Sequence, residues 1–500
     1  MAGKKRTDPA GAGQDPAADA PALNEAPPLG WGTMLFYGLG SASNGIKNRS
    51  ISTFLLLFYS QVVGLPATWV GSALAVTLIL DGLFDPVIGQ ISDNFRSRWG
   101  RRHPFIYFSA IPYAIVFVML WTPPVGWSPG ALIAYMTVCI VLLRSIDTFF
   151  EVPASAMSAE LTTDYHQRTS LIASRYFFTF AGGLTMIWIA YSFFFDEDRG
   201  GLFVRASYGQ YAMLAGIAIA LSILGCAMGT HHRIPWLRQP PQRKLTIGLL
   251  FRELAQTLAN RSLWLANAAG LFTAIATGMV GGLATYFQVY FWELTPSQLS
   301  YLPIAGMIAA LMGIVIGPWI TRWLGKKKGG IAMFAALMIV SVTPISLRLA
   351  GLLPPNGTPL IFGLLFAEAL LIAMLTLMTS MAITSMIADV AEDSEVKTGR
   401  RSEGLLFSVD NVLKKSTAGA GVFAASLILT AAGLSGQVRP GEISEAALHQ
   451  MGLYFVPAII LIYGGAIVSL LVFPLDENTH KANLAALRTR KETGKTDRPA

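Results

Sequence analysis

Long apolar stretches recur along the whole chain, and they restrict its fold more than any other feature. A helix that crosses the hydrocarbon core of a bilayer needs about 20 mainly apolar residues. Only 13% of the 500 residues are charged, whereas roughly a quarter are charged in an ordinary soluble domain. The stretches are continuous rather than alternating, so they indicate helices and not the strands of a membrane barrel. The sequence therefore predicts an all-α polytopic membrane protein.

The polar segments between the apolar stretches set the predicted helix boundaries. We expect about twelve transmembrane helices, some of them long enough to cross the bilayer at a tilt. The predicted spans are 31–61, 68–92, 104–122, 129–157, 171–195, 207–229, 262–293, 298–322, 330–350, 358–388, 404–433 and 450–474.

A repeated pattern divides these spans into two groups. "AELTTDYHQRTS" resembles "ADVAEDSEVKTG", and "GQISDNFRSRWGRR" resembles "GPWITRWLGKKK", at nearly the same offset along the chain. Loops of one membrane face can resemble each other without a repeat, so that alternative stays open. Two matches in one register favour two pseudo-symmetric six-helix halves, as in many transporters. We predict the halves at 29–229 and 262–474, joined by a cytoplasmic central loop at 230–261.

Lysine and arginine are concentrated in alternate loops. They occur in "NFRSRWGRRHP", "DYHQRTS", "HHRIPWLRQPPQRK", "RWLGKKKGG" and "KTGRRSE", but not in "GLPATW", "TPPVGWSPG" or "LTPSQL". The basic loops and both tails are therefore expected on the cytoplasmic side of the cell membrane. The dispersal of the net charge of +8 over separate loops argues against nucleic-acid binding. The tail 1–28 lacks the apolar core of a signal peptide and is predicted to be disordered, and 475–500 is a polar tail.

Acidic residues lie inside two predicted spans at helical spacing. Asp81 and Asp85 lie four residues apart in "AVTLILDGLFDPVIGQISD", and Asp147 and Glu151 repeat that spacing. On a helix each pair shares one face, where two ionised carboxylates about 6 Å apart repel by roughly 3 kcal/mol. Such a pair needs protonation, a bound cation or a fixed counter-charge. Any single acid can instead belong to an ion pair that packs helices together, but the group indicates an ion or substrate path.

Basic residues also lie inside the predicted spans. The eleventh span contains Asp410, Lys414 and Lys415, and a lysine is the natural counter-charge for these acids when no mobile cation is bound. Lys47 and Arg49 lie two residues apart, so we expect one to face a cavity and the other to pair with another helix. Arg144 precedes Asp147 by three residues, which predicts a local ion pair.

The motifs together resemble one known family. "YGLG…FLLLFYSQVVGL", "LDGLFDPVIGQISDNFRSRWGRRHPFI", "EVP…ELTTDYHQRT" and "ADVAEDSEVKTGRRSEGLLFSVDNVLKK" are similar to the glycoside–pentoside–hexuronide:cation symporters of the major facilitator superfamily. The resemblance covers everything but the tails. It implies a non-enzymatic secondary active transporter that takes up a sugar, glycoside or uronide by alternating access. The coupling ion would be H⁺ or Na⁺, with no other cofactor or metal.

The resemblance also implies roles for particular residues. The paired acids of the second helix bind the coupling cation in this family, and the first of them helps to hold sugar. Lys415 is similar to the family's lysine on the eleventh helix, which contacts these acids. The predicted cation site comprises Asp81, Asp85, Asp147, Thr148 and Glu151.

Two further groups of residues follow from the resemblance and from the polar residues of the spans. The predicted substrate site comprises Asp81, Asn44, Lys47, Arg175, Asn411 and Lys415. The predicted cytoplasmic gate comprises Asp93, Arg101 and Arg102.

Three positions depart from the family pattern. Gly45 replaces an acid that receives sugar hydroxyls, Phe84 replaces an asparagine beside the second acid, and Ser155 replaces a tryptophan sugar platform. Galactoside recognition is therefore not expected, and the loss of a neutral oxygen ligand beside Asp85 favours a proton over sodium. Lys47 would favour an anionic solute such as a uronide.

Other functions compete with sugar symport. Lysophospholipid symporters resemble the same family, so a lipid substrate is an alternative. A membrane enzyme is disfavoured because the sequence has no cluster of histidine ligands and no conspicuous nucleophile–base pair, and a non-transporting sensor or scaffold is a more distant alternative. Cys139 and Cys226 fall inside predicted spans, where neither a disulfide framework nor a metal site is expected. We expect a monomer whose partners are the solute, the cation and the bilayer.

Overall fold

The computed structural model describes eight stretches of the chain. They are 29–162, 164–196, 201–237, 261–398, 403–434, 437–439, the single residue 441, and 443–473. In these stretches the regular structure is helical throughout. The predicted tails 1–28 and 475–500, and the predicted central loop after Leu237, lie outside the described residues.

The first half of the chain contains helices that match the first six predicted spans. The first span is segmented, because two helices are followed by two π-helical turns at Ile51–Leu55 and Phe58–Val62. The α-helices are α1 (Trp31–Leu39), α2 (Ala42–Ser50), α3 (Ala67–Asn94), α4 (His103–Trp121), α5 (Pro129–Leu161), α6 (Tyr165–Ile189) and α7 (Arg205–His231).

The second half contains helices that match the remaining predicted spans. They are α8 (Arg261–Tyr286), α9 (Pro296–Leu324), α10 (Lys326–Leu349), α11 (Pro359–Thr398), α12 (Glu403–Ala431) and α13 (Glu445–Val472). Within the described stretches ten helices are long and apolar enough to cross a membrane. The first span is polar around Lys47 and Arg49, and α3 contributes a shorter apolar segment at Ala67–Asp81. The prediction of a multi-pass membrane protein is confirmed.

Local sequence explains where several helices begin and end. Thr295 caps α9 in a capping box with Gln298, and Ser128 and Ser444 cap α5 and α13. These side chains satisfy backbone N–H groups that have no partner within the helix. Gly325 separates α9 from α10 with a φ of 78°, a conformation that glycine adopts without strain.

Helix pairing repeats between the two halves. In the first half, α4 packs on α7, α2 on α6, and α3 on α5. The corresponding pairs in the second half are α10 with α13, α8 with α12, and α9 with α11. Contacts between the halves follow the same symmetry, because α3 packs on α12 and α6 on α9. This pseudo-two-fold arrangement is the predicted major facilitator fold. The domain boundaries at 29–229 and 262–474 stay predictions.

Glycine allows the equivalent helices α2 and α6, and α8 and α12, to approach closely. A Cβ atom at Gly45 would lie 1.9 Å from the backbone oxygen of Thr179 on α6. A Cβ atom at Gly278 would lie 2.1 Å from the backbone oxygen of Ala418 on α12. Close backbone contact through small residues is a common way of joining membrane helices.

The two ends of the helix bundle differ in composition. At one end lie the arginine-containing connections 95–102 and 232–237, and we call it the basic end. The opposite end carries the connections 63–66, 122–128 and 350–358.

The halves are joined at the opposite end by a group of hydrogen bonds. The hydroxyls of Ser60 and Tyr286 contact each other, and the Thr285 hydroxyl donates to the backbone oxygen of Thr53 at 2.6 Å. The Gln437 amide donates to the backbone oxygen of Val62 at 2.9 Å. We call these contacts the seal.

Candidate functional site

A buried ion pair links the first span to the fourth. Lys47 Nζ contacts Asp147 Oδ2, and the Tyr113 hydroxyl donates to Asp147 Oδ1 at 2.8 Å. The Lys47 and Asp147 side chains are only 4% and 9% exposed. We call this cluster the buried pair. Both carboxylate oxygens of Asp147 are occupied, although Lys47 and Asp147 were expected to contact the substrate and the cation.

Asp81 receives its counter-charge from the neighbouring helix. Arg144 Nη1 on α5 lies 3.1 Å from Asp81 Oδ2 on α3. The prediction that Arg144 pairs locally with Asp147 is therefore wrong. Since α3 packs along α5, Arg144 reaches an acid on that helix, while Asp147 is held by Lys47 from α2.

Lys415 connects the two halves of the protein at the paired acids. Its Nζ atom on α12 lies 2.6 Å from Asp85 Oδ2 and 3.1 Å from Asp81 Oδ2, both on α3. The Thr148 hydroxyl lies 3.1 Å from the other oxygen of Asp85. The Lys415 and Asp85 side chains are 36% and 31% exposed, far more than the buried pair. We call Lys415, Asp81 and Asp85 the cross-half bridge.

Glu151 and Arg175 form a third charged contact. Arg175 Nη2 on α6 contacts Glu151 Oε1 on α5, and Arg175 Nη1 donates to the Tyr37 hydroxyl at 3.3 Å. That hydroxyl donates in turn to the backbone oxygen of Ala154 at 2.8 Å. Glu151 Oε2 is buried and has no hydrogen-bond partner among the described residues. The contact joins α1, α5 and α6 beside the cross-half bridge, since Glu151 lies one helical turn from Thr148.

The remaining predicted substrate residues are uncharged. Asn48 Nδ2 on α2 donates to Asn44 Oδ1 at 2.6 Å, and Asn48 is exposed whereas Asn44 is partly buried. Asn411 on α12 is exposed one helical turn before Lys415. Neighbouring Lys414 is occupied by Asp410 on the same helix at 2.8 Å.

The predicted gate residues lie at the basic end. Arg101 and Arg102 both contact Glu160 at the end of α5, with Arg102 Nη2 3.0 Å from Glu160 Oε1. Arg102 Nη1 also donates to the Ser92 hydroxyl of α3 at 3.1 Å. Asp93 belongs to α3, but its side chain lies outside the described residues.

Several residues of the site were missed from the sequence. Glu160 lies within the repeated motif "AELTTDYHQRTS", so the repeat was the available signal for it. Tyr113 carried no signal, because a tyrosine in a membrane span is equally compatible with packing. Tyr37 begins the motif "YGLG", but the resemblance assigned no role to its hydroxyl. Only the packing of α1 and α4 against α5 and α6 shows which carboxylate or guanidinium each hydroxyl reaches.

The three positions that depart from the family pattern have different surroundings. Gly45 lies against the α6 backbone, and an acidic side chain has no room there. Phe84 is partly buried, and Ser155 is exposed with its hydroxyl donating to the backbone oxygen of Val152 at 3.0 Å.

Comparison with known proteins identifies the family. The family model described as "MFS/sugar transport protein" matches residues 36–477. The chain belongs to this family. The match includes every residue of the buried pair, the cross-half bridge and the Glu151–Arg175 contact.

Individual relatives share only a low sequence identity with the chain. The chain is 24% identical to the isoprimeverose transporter of Lactiplantibacillus pentosus, over 89% of each chain. It is 24% identical to the inner membrane symporter YicJ of Escherichia coli, over 74% of this chain and 76% of that protein. A bacterial homologue of the iron transporter ferroportin, solved in an inward-facing state, has a TM-score of 0.60 at 11% identity, over 88% of this chain and 98% of that one. The structural likeness supports the fold alone.

Proposed function

We propose that the protein is a cation-coupled symporter of a sugar or glycoside. The observation that carries this proposal is the cross-half bridge. Acids of one half and a lysine of the other meet there, where each side chain is about one-third exposed except Asp81. Membership of a sugar-transport family and relatives named as symporters and as an isoprimeverose transporter support it.

The coupling ion is proposed to compete with Lys415 for the acids. A proton or sodium ion at Asp85 neutralises the carboxylate that Lys415 contacts at 2.6 Å. The ammonium group then loses the nearer of its two acidic partners on α3 and keeps only Asp81, which Arg144 already neutralises, so the contact between α3 and α12 weakens. Thr148 offers one neutral oxygen to the ion, but Phe84 supplies none beside Asp85. A single carboxylate suffices for a proton, whereas sodium needs several oxygen ligands, so we favour a proton.

Transport requires the two halves to rock about this site. In the present arrangement the halves meet along α3 and α12 from the seal to the cross-half bridge. We propose that the cavity between them opens toward the basic end, and that this end and both tails are cytoplasmic, as the lysine and arginine distribution predicts. Breaking the seal and closing the basic end would complete the cycle.

Uptake into proteoliposomes tests the proposal. The reconstituted full-length protein receives an inward proton gradient or an inward sodium gradient. The solutes are isoprimeverose and a panel of p-nitrophenyl glycosides and glycosiduronates. We expect at least one solute to accumulate above its external concentration in the wild-type protein. In the Asp85→Asn variant the same solute should only equilibrate across the membrane, because residue 85 then carries no charge for the ion to neutralise.

Glu445→Gln provides a matched control for this experiment. Glu445 is an exposed acid in the first turn of α13, at the opposite end, so its replacement should leave accumulation unchanged. Normal accumulation by Asp85→Asn would show that the cation site is wrong. If the wild-type protein accumulated none of the solutes under either gradient, the proposed symport itself would be refuted.

A further inference from the structure

Arg49 is a charged residue of the first span that the proposed function does not use. It is exposed, in contrast to Lys47, which lies in the buried pair. Among the described residues, no side chain forms a hydrogen bond or an ion pair with the Arg49 guanidinium. The prediction that one of these two cations pairs with another helix while the other is open to a cavity therefore agrees with the structure. Arg49 is the open one.

The position of Arg49 on the helix shows which cavity it faces. Ser52, Thr53 and Leu56 follow it on the same side of the first span, three, four and seven residues later. All three lie against α8 of the other half. Thr53 accepts the hydrogen bond of the seal, and Cβ atoms added at Gly281 and Gly282 would touch Ser52 and Leu56. Arg49 therefore lies one turn from the seal, on the side of the first span that faces the other half.

The stem of Arg49 is supported by glycine on α6. A Cβ atom at Gly183 would lie 2.7 Å from Arg49 Cγ, so the stem lies directly over the α6 backbone. Arginine often packs its aliphatic stem while the charged group stays accessible. Asn44 and Asn48 form the neighbouring polar strip of the same helix. Asn48 and Arg49 are consecutive exposed residues of α2, and Asn48 is bonded to Asn44.

Within the described part of the chain, Arg49 has no acidic side chain as a counter-charge. Lys47 is paired with Asp147, Arg144 with Asp81, Arg175 with Glu151 and Lys415 with Asp85, so each of these acids is already engaged. An uncompensated cation at membrane depth is costly and is typical of a functional site. The planar guanidinium suits a carboxylate especially well, because it can donate two parallel hydrogen bonds.

We infer that Arg49 binds a carboxylate on the transported solute, which is therefore an acidic glycoside. Asn44 and Asn48 would bind hydroxyl groups of the same solute. This inference rests on the proposed symport and replaces Lys47 with Arg49 as the residue that selects an anionic solute. Lys47 is excluded from that role because Asp147 and the surrounding helices enclose it.

A matched pair of ligands tests this assignment. p-Nitrophenyl β-D-glucuronide and p-nitrophenyl β-D-glucoside differ only at C6, which is the carboxylate carbon in the first and the hydroxymethyl carbon in the second. Equilibrium binding to the purified full-length protein is measured by calorimetry, and accumulation is measured in proteoliposomes. We expect the wild-type protein to bind the glucuronide about 10- to 100-fold more tightly, the range for a hydrogen bond to a charged group.

Three variants locate the source of this preference. Arg49→Gln should bind the two ligands about equally, and Arg49→Lys should recover part of the preference. The double variant Lys47→Met/Asp147→Leu removes the other cation as a neutral pair and should keep the full preference.

The outcomes separate the inference from the proposed function. If the wild-type protein accumulates the glucoside and binds it at least as tightly as the glucuronide, the proposed role of Arg49 is wrong but sugar symport stands. A preference that survives in Arg49→Gln would do the same. Failure of both ligands and of the wider solute panel to accumulate would refute the proposed symport and this inference with it.

Discussion

Two lysine–aspartate pairs in this protein have the same chemistry but different surroundings. Lys47 and Asp147 join helices of one half, and their side chains are 4% and 9% exposed. Lys415 and Asp85 join helices of different halves, and their side chains are 36% and 31% exposed. Asp147 also accepts a hydrogen bond from a buried tyrosine, whereas the second oxygen of Asp85 has the Thr148 hydroxyl as its one hydrogen-bond partner among the described residues.

The difference shows that the same kind of ion pair can either stabilise the fold or exchange its lysine for a bound cation. Separating Lys47 from Asp147 would leave two charges in a medium that cannot solvate them, so this pair should stay closed throughout transport. Lys415 and Asp85 are reached by water, so separation costs much less and an ion can take the place of the lysine. We therefore expect the buried pair to determine stability and the cross-half bridge to determine coupling.

The largest effect on stability is expected from Asp147→Ala. This change leaves Lys47 buried without its counter-charge and Tyr113 without its acceptor, and such a loss costs about 3–5 kcal/mol. Thermal unfolding of the detergent-purified protein should show a large decrease in the midpoint, and the double variant Lys47→Met/Asp147→Leu should recover most of it. Unchanged stability of Asp147→Ala would mean that this pair is not structural.

Gly45→Ala should have the next largest effect, because Gly45 holds α2 in place beside Lys47. The added methyl group would lie 1.9 Å from the Thr179 oxygen, and overpacking of this kind costs about 1–3 kcal/mol. Gly363→Ala is a matched control, since Gly363 lies in α11 with no atom within 4 Å of an added Cβ. The same unfolding assay should show a decrease only for Gly45→Ala; equal midpoints for the two variants would contradict close packing of α2 on α6.

Lys415→Gln should change stability least. Its ammonium group is partly solvated, and exposed ion pairs contribute about 1 kcal/mol or less. The unfolding midpoint should therefore stay close to that of the wild-type protein, in contrast to Asp147→Ala. A decrease as large as that of Asp147→Ala would show that the two pairs do not differ in the way proposed.

Some of this organisation was available from the sequence. Apolar length predicted the spans, and the spacing of Asp81 and Asp85 predicted their shared face. The family resemblance predicted that Lys415 would meet them, and the structure shows this contact. Each of these features depends on one helix or on a motif of the family.

The partners of the other charges were not predictable. Helical spacing gives the neighbours of Arg144 on its own helix, but its actual partner, Asp81, depends on how α3 is rotated against α5. The packing of α2 against its neighbours likewise determines that the Lys47 side chain is buried and the Arg49 side chain is exposed. Nothing in the sequence around Gly45 indicates that the α6 backbone fills the space that an acidic side chain would need at this position.

Replacing each lysine–aspartate pair by a neutral pair tests the central claim most directly. Lys47→Met/Asp147→Leu and Lys415→Met/Asp85→Leu are reconstituted at equal amounts of folded protein, and gradient-driven accumulation of a transported solute is measured. We predict accumulation by the first variant and only equilibration by the second. Accumulation by the second variant, or its loss in the first, would contradict the division between a structural pair and an exchangeable one.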